Sequence, residues 1–203
     1  QIRAMGARDI DQVLESVPGL HISLSAIYNP EYLFRGISSD FSPQVLMLIN
    51  GIPITNLFQG DRNLVWGGMP VEAISRIEVI RGPGSALYGA DAFAGVINIV
   101  TKTPEEGKHN SAGIRFGTFN TRDVWLSAAG EKGELGYMAT IEFTKTDGSD
   151  AQIDSDAQSL LDLITVTAVS NAPGSVNLER NNIDFRLEIA YKKLRVRAGG
   201  QIR

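Results

Sequence analysis

The sequence predicts an α+β domain of short strands and short helices, followed by a run of long antiparallel strands. Three observations carry this reading. Before residue 103 the apolar runs are short and punctuated by Gly and Pro. After residue 107 they lengthen and alternate strictly with polar residues. Between them stands Thr103-Pro104-Glu105-Glu106-Gly107, a polar, Pro- and Gly-bearing connection.

The first half opens with a helix. Ile10, Val13, Leu14 and Val17 recur at i, i+3, i+4 and i+7, one helical face. Asp9 followed by Gln12 resembles a capping box, and Pro18-Gly19 ends the helix. Leu20, Ile22 and Leu24 alternate as a short strand. Val45–Ile49 is a continuous apolar strand, and Asn50-Gly51 after it is a hairpin signal. Pro70 suits the first turn of a short helix over Val71–Ile74. Ile77–Arg81 and Val96–Lys102 complete the strands. Between those two lies Arg81–Lys102, RGPGSALYGADAFAGVINIVTK, with glycines at 82, 84, 89 and 95, a compact turn feeding a buried strand.

The second half repeats one pattern. Leu135, Tyr137, Ala139, Ile141 and Phe143 share one face, against Gly136, Met138, Thr140, Glu142 and Thr144. Ile183, Phe185, Leu187, Ile189 and Tyr191 oppose Asp184, Arg186 and Glu188. Leu194, Val196, Ala198 and Ile202 oppose Arg195, Arg197, Gly199 and Gln201. Ser111–Phe116 and Val124–Ala128 are weaker versions. Such alternation fits a transmembrane β-barrel and equally a half-buried sheet of a soluble protein. Glu131–Glu134 and Lys192-Lys193 are tight turns, and Asp147–Asn182 is a long polar connection, the short-turn, long-loop asymmetry of outer-membrane barrels. Leu160–Val169 inside that connection is apolar enough for a helix or a strand.

Composition excludes more than it assigns. Hydrophobic residues make up 43% and charged residues 21% of the 203 residues, ordinary for a folded protein. A net charge of -4 gives no reason to expect nucleic acid. There is no cysteine, hence no disulfide framework. No apolar stretch approaches the ~18 residues of a membrane-crossing helix. Gln1-Ile2-Arg3 reads as an opening in mid-domain, without a signal peptide. Gly84 and Gly89 have P-loop spacing, but Ala90 and Asp91 stand where Lys and Ser/Thr are required. The two histidines, His21 and His109, are far apart, and Ser75, Ser85 and Ser127 lack a nucleophile context, so neither a histidine metal site nor an enzyme is expected. Asp147, Asp150, Asp154, Asp156 and Asp162 make an acidic loop, read as solvated surface with calcium as the alternative.

Three strings resemble a known family. Leu33-Phe34-Arg35-Gly36 looks like an FRG segment, Val45–Pro53 (VLMLINGIP) like a strand–NG–strand hairpin, and Arg81–Lys102 like the signature of the plug domain of TonB-dependent outer-membrane receptors. The resemblance implies an α+β plug domain (a small mixed sheet with short helices) over 1–103, followed over 107–203 by about five antiparallel strands of a truncated transmembrane β-barrel. It implies an energy-coupled transport receptor in the bacterial outer membrane, with lipid around it. Its partner would be TonB, engaged through a segment upstream. Its ligand would be a ferric siderophore by preference, or cobalamin, haem or a glycan. The other reading is a soluble α/β binding module with an appended sheet. The outer faces of the long strands separate the two.

The resemblance also implies site residues. Two loops correspond to external apices that touch ligand: Tyr28, Asn29, Glu31 and Tyr32 in the first, Phe58, Gln59, Asp61, Arg62 and Trp66 in the second. Aromatic rings and guanidinium groups there suit ligand capture. Arg35 and Arg81 correspond to arginines that pair with acidic residues of the barrel wall, and Glu78 is a nearer candidate partner for Arg81.

Overall fold

The computed structural model describes residues 2–24, 30–37, 39, 42–54, 69–107, 110–176 and 178–202. Helix α1 (Ile10–Glu15) begins where Asp9 Oδ1 accepts the Gln12 amide at 3.0 Å. The reciprocal half of the predicted box is displaced by one residue: Gln12 Oε1 accepts from the Arg8 amide at 2.9 Å. Strand β1 (Leu20–Leu24) pairs antiparallel with β2 (Pro30–Phe34). The second of these strands lies inside what the sequence suggests is a loop.

A four-stranded sheet follows, built from β3 (Val45–Ile49), β4 (Ile52–Pro53), β5 (Ile74–Arg81) and β6 (Gly95–Thr101), in the order β4-β3-β6-β5. β3 and β6 run parallel and the other pairs antiparallel. The Asn50-Gly51 turn has positive φ at both residues (52° and 80°), the two-residue hairpin that the sequence predicts. Asn50 also ties the turn to β6: its amide donates to the Ile99 carbonyl, and its side chain meets Thr101 at 2.9 Å. Pro70 precedes the short helix expected there, a single 3₁₀ turn over Val71–Ala73, one residue shorter than the sequence suggests. The glycine run folds as helix α2 (Ser85–Tyr88), a 3₁₀ turn over Ala90–Ala92, and then β6.

These pieces share one core. Ile10, Leu14, Tyr32, Phe34, Met47, Met69, Ile97 and Ile99 are fully buried together. Gly95 is required at the centre: a Cβ there would lie 2.8 Å from Cζ of Phe34 and 2.9 Å from the Ile80 carbonyl oxygen. The phenylalanine of the FRG string therefore packs on the backbone of the signature strand.

The second half forms a five-stranded antiparallel meander. Its strands are β7 (Ser111–Gly117), β8 (Thr121–Lys132) and β9 (Leu135–Thr146), then β12 (Arg180–Tyr191) and β13 (Leu194–Ile202), in the order β13-β12-β9-β8-β7. The long connection between β9 and β12 holds a two-residue hairpin, β10 (Gln152–Ile153) with β11 (Gly174–Ser175), and helix α3 (Ala157–Thr165). The apolar stretch left open between helix and strand is thus helical as far as Thr165, and Val166 ends it in the left-handed conformation.

This sheet is inverted relative to that of a soluble protein. The face turned to the small sheet is polar and buried: Asp123, Ser127, Thr140, Glu142, Asp184 and Glu188 are each 6% exposed or less. The opposite face is apolar and open, with Ile114 63%, Phe116 71%, Leu126 54% and Val196 52% exposed. A half-buried soluble sheet would turn its apolar face inward. Here carboxylates are inside and phenylalanines outside, the arrangement of a strand wall with a filled polar interior.

Candidate functional site: the plug–wall junction

The two parts meet through charge. Glu72, in the 3₁₀ turn after Pro70, is 2% exposed. Its carboxylate Oε1 accepts from Nη2 of Arg115 on β7 at 3.1 Å, and its carbonyl accepts from Lys102 Nζ at 2.6 Å. Arg115 Nη1 donates to Asp123 Oδ2 on β8 at 3.0 Å and stands 3.9 Å from Glu142 Oε1 on β9. One guanidinium therefore faces three buried carboxylates, its planar fork spreading donors over two strands and the small domain.

Neighbouring residues hold that fork in place. The Arg115 guanidinium carbon lies 4.9 Å from the Trp125 ring centroid, a cation–π contact. Gly113, the register partner of Trp125, leaves room for the ring. A Cβ at 113 would come within 2.2 Å of it. Lower on the wall, Arg195 bridges Glu105 of the connection (2.7 Å) to buried Glu188. Gly136 receives Pro104, and Gly107 packs against Ala129 and Met138. The connecting segment is thereby laid flat on the inner face.

The residues singled out from sequence fare unevenly. Tyr28, Asn29, Phe58, Gln59, Asp61, Arg62, Trp66 and His109 lie outside the described residues. Glu31 is half-buried on β2, with one oxygen 3.5 Å from the Ser23 hydroxyl. Tyr32 is corrected from apex to core. It is fully buried, and its hydroxyl donates to Asp11 Oδ1 at 2.8 Å. Strand pairing of β2 with β1 turns alternate side chains inward, and Tyr32 is one of them.

Glu78 is also corrected. Positions 78 and 81 are three apart on a strand and face opposite sides. Glu78 instead accepts from Arg76 Nε at 2.8 Å and from the Asn98 amide at 2.8 Å. The Asn98 bond first, then Arg76, holds its carboxyl below the ordinary value. Arg81 Nη1 donates to the Pro18 carbonyl at 2.9 Å, tying β5 to the end of the α1 turn. Arg35 is exposed in a left-handed turn. Among the described residues neither arginine meets a wall carboxylate. The junction that does form has the opposite polarity, an acid on the small domain and an arginine on the wall. Sequence reasoning missed Glu72 and Arg115. Their only signal was one arginine on the polar face of a weakly alternating strand.

The acidic loop is organised by its own donors. Asp156 caps α3, and Asp162 accepts from the Thr167 hydroxyl and from the Val169 and Ser170 amides. Among the described residues no three acidic or imidazole groups are placed to hold a metal ion, so the calcium alternative finds no ligand cluster there.

A small α/β body seated on the polar inner face of an outward-apolar antiparallel wall defines a plugged outer-membrane barrel. Residues 1–96 match the TonB-dependent Receptor Plug Domain. The chain is 32% identical over 153 residues to the Vitamin B12 transporter BtuB of Vibrio vulnificus, covering 74% of this chain and 24% of that one. It is 34% identical over 152 residues to the BtuB of Photobacterium profundum, with the same shares covered. Its fold superposes on FpvA of P. aeruginosa, bound to a heterologous pyoverdine, with a TM-score of 0.69 at 18% identity, over 98% of this chain and 23% of that one. Residues 1–96 place this chain among the TonB-dependent outer-membrane receptors, and these two curated relatives are vitamin B12 transporters. It spans about a quarter of the length of the curated relatives it matches.

Proposed function

We propose that the whole receptor binds a bulky, scarce ligand at its outer side and imports it, with residues 1–103 as the gating plug and 107–203 as the first strands of the wall. The observation that carries this is the Glu72–Arg115 contact in a buried polar seam. It fixes a separate small domain inside the wall by reversible ion pairing and not by an apolar core. TonB supplies the pull from the inner side, and lipid meets the outer face of the strands.

For the ligand, a cobalamin-type molecule is favoured over the ferric siderophore that the family resemblance first suggests. Two relatives above 30% identity are vitamin B12 transporters. The FpvA and FyuA siderophore receptors are alike in fold at 18–20% identity. Tyr28, Asn29 and Glu31 in the first apex, and Phe58, Gln59, Asp61, Arg62 and Trp66 in the second, are the proposed contacts. Arg35 and Arg81 are proposed to pair with wall strands beyond this chain.

The test is a fluorescence titration of the full-length receptor in detergent with cyanocobalamin and a panel of ferric siderophores. Saturable quenching by cyanocobalamin, reduced in Trp66→Phe with affinity kept, supports both ligand and apex. Saturation by a ferric siderophore alone overturns the ligand assignment.

A further inference from the structure

The connection between β9 and β12 holds a second element with its polar side turned in. On helix α3, Leu160, Leu163 and Ile164 stand at i, i+3 and i+4 and form one stripe. They are 63%, 80% and 72% exposed, and Leu161 beside them is exposed as well. An amphipathic helix ordinarily buries such a stripe. Here the opposite side is already occupied. Asp156 Oδ1 accepts from the Ser159 amide at 2.7 Å and from the Ser170 hydroxyl at 2.8 Å. Asp162 accepts from the Thr167 hydroxyl at 2.6 Å and from the Val169 and Ser170 amides, each at 2.8 Å. The chain from Thr167 to Ser170 is thereby bound across the polar side. The helix cannot roll its stripe inward without breaking these bonds. Contiguous exposed apolar side chains of this kind mark an interaction surface.

Charge says what kind of partner fits. From Thr146 to Glu179 the sequence holds six carboxylates, Asp147, Asp150, Asp154, Asp156, Asp162 and Glu179, and no Lys, Arg or His. Bases stand at the roots only: Lys145, its register partner Arg122, and Arg180. Asp150 and Asp154, which precede the helix, are exposed. A lipid surface is the poorer match. Helices that lie on anionic lipid carry Lys and Arg on the polar face, where α3 carries Ser159 and Asp162. A second copy of the same surface would set acid against acid. A partner that is both apolar and basic answers the stripe and its surroundings together.

We propose that the exposed stripe of α3 docks a basic amphipathic polypeptide segment. The apolar face of that segment covers Leu160, Leu163 and Ile164, and its Lys or Arg side chains meet Asp150 and Asp154. Docking depends neither on which ligand is transported nor on the Glu72–Arg115 seam.

The probe is a fluorescein-labelled amphipathic helix of leucine and lysine. It is titrated into full-length receptor held in zwitterionic lipid nanodiscs, with empty discs as the baseline, and read by anisotropy. Saturable binding is expected, weakening as salt is added. Leu163→Ser with Ile164→Ser should weaken it about tenfold, the usual effect of truncating an apolar anchor. Asp150→Asn with Asp154→Asn should weaken it and flatten its salt dependence. All four side chains are exposed, so neither variant disturbs folding. A leucine–glutamate peptide and a serine–lysine peptide of the same length should each bind about tenfold more weakly or not at all. No saturable binding by the full-length receptor would show that the stripe is covered by the rest of the protein and would overturn the proposal. Binding indifferent to Leu163→Ser with Ile164→Ser, or equal for the serine–lysine peptide, would reduce it to attraction between charges and overturn it too. Emission of Leu163→Trp quenched by brominated lipid and unaltered by the peptide would assign the stripe to the bilayer instead.

Discussion

Glu72 and Arg115 stand 3.1 Å apart, joining a one-turn helix of the plug to the first strand of the wall across 43 residues of sequence. Both residues are held in a polar setting, with Asp123 and Glu142 beside the pair. The seam is therefore polar, and its strength lies in charges that can part and re-form.

Removing one partner of a buried pair leaves the other uncompensated and costs about 3–5 kcal/mol. Arg115→Ala should loosen the plug more than Glu72→Gln, because it removes the donor to Asp123 as well as a donor to Glu72. Uptake of a large antibiotic normally excluded by the outer membrane measures this. Cells carrying Arg115→Ala should become more sensitive, and those carrying Glu72→Gln should lie between it and the parent.

Trp125 is seated only because residue 113 lacks a side chain. In Gly113→Ala the new methyl group would begin 2.2 Å from the ring. The ring must move, taking its contact with Arg115 along. The expected cost is about 1–3 kcal/mol of thermal stability, typical of overpacking. A shift of the Trp125 emission maximum, read in a background without Trp66, should accompany it.

Arg81 ties β5 to the carbonyl of Pro18. Arg81→Ala should remove a charged hydrogen bond of roughly 1.5–3 kcal/mol while leaving the sheet intact. Hydrogen exchange should show faster opening of the α1–β1 turn and unchanged protection in β3 and β6.

The connection between β9 and β12 has a defined response to acid. The Thr167 hydroxyl, the Ser170 amide and further donors hold the Asp162 carboxyl down from 3.8 to about 2. A depressed carboxylate contributes stability above its unfolded value and loses it as pH falls through the folded one. Protection of the Val169 and Ser170 amides should therefore persist to about pH 4 and vanish towards pH 2. In Asp162→Asn that protection should be weak already at neutral pH.

Much of this fold is legible in sequence because local rules agree with the tertiary outcome. Asp9 and Gln12 start a helix, Asn50-Gly51 makes the hairpin it promises, and the alternation over Leu135–Phe143 survives intact in β9. The wall's inside-out character was not readable from alternation alone, since a period of two marks two faces without saying which meets the core. Tyr32 is assigned to an apex by family correspondence alone, which carries no information on strand pairing; Pro30, just before it, opens β2. It sits at the edge of β2, where its missing N–H costs no ladder bond. Glu72 and Arg115 escaped notice because an ion pair 43 residues apart leaves no periodic trace.

The central claim is that the apolar face of the long strands looks outward while a plug covers the polar one. Single nitroxide labels at Phe185 and Glu188, in the full-length receptor in a bilayer, test it most directly. Phe185 should be readily relaxed by dissolved oxygen and little by a water-soluble nickel complex, and Glu188 should be shielded from both. A Phe185 label shielded from oxygen, with Glu188 open to the nickel complex, would place the apolar face in a protein core and contradict the account.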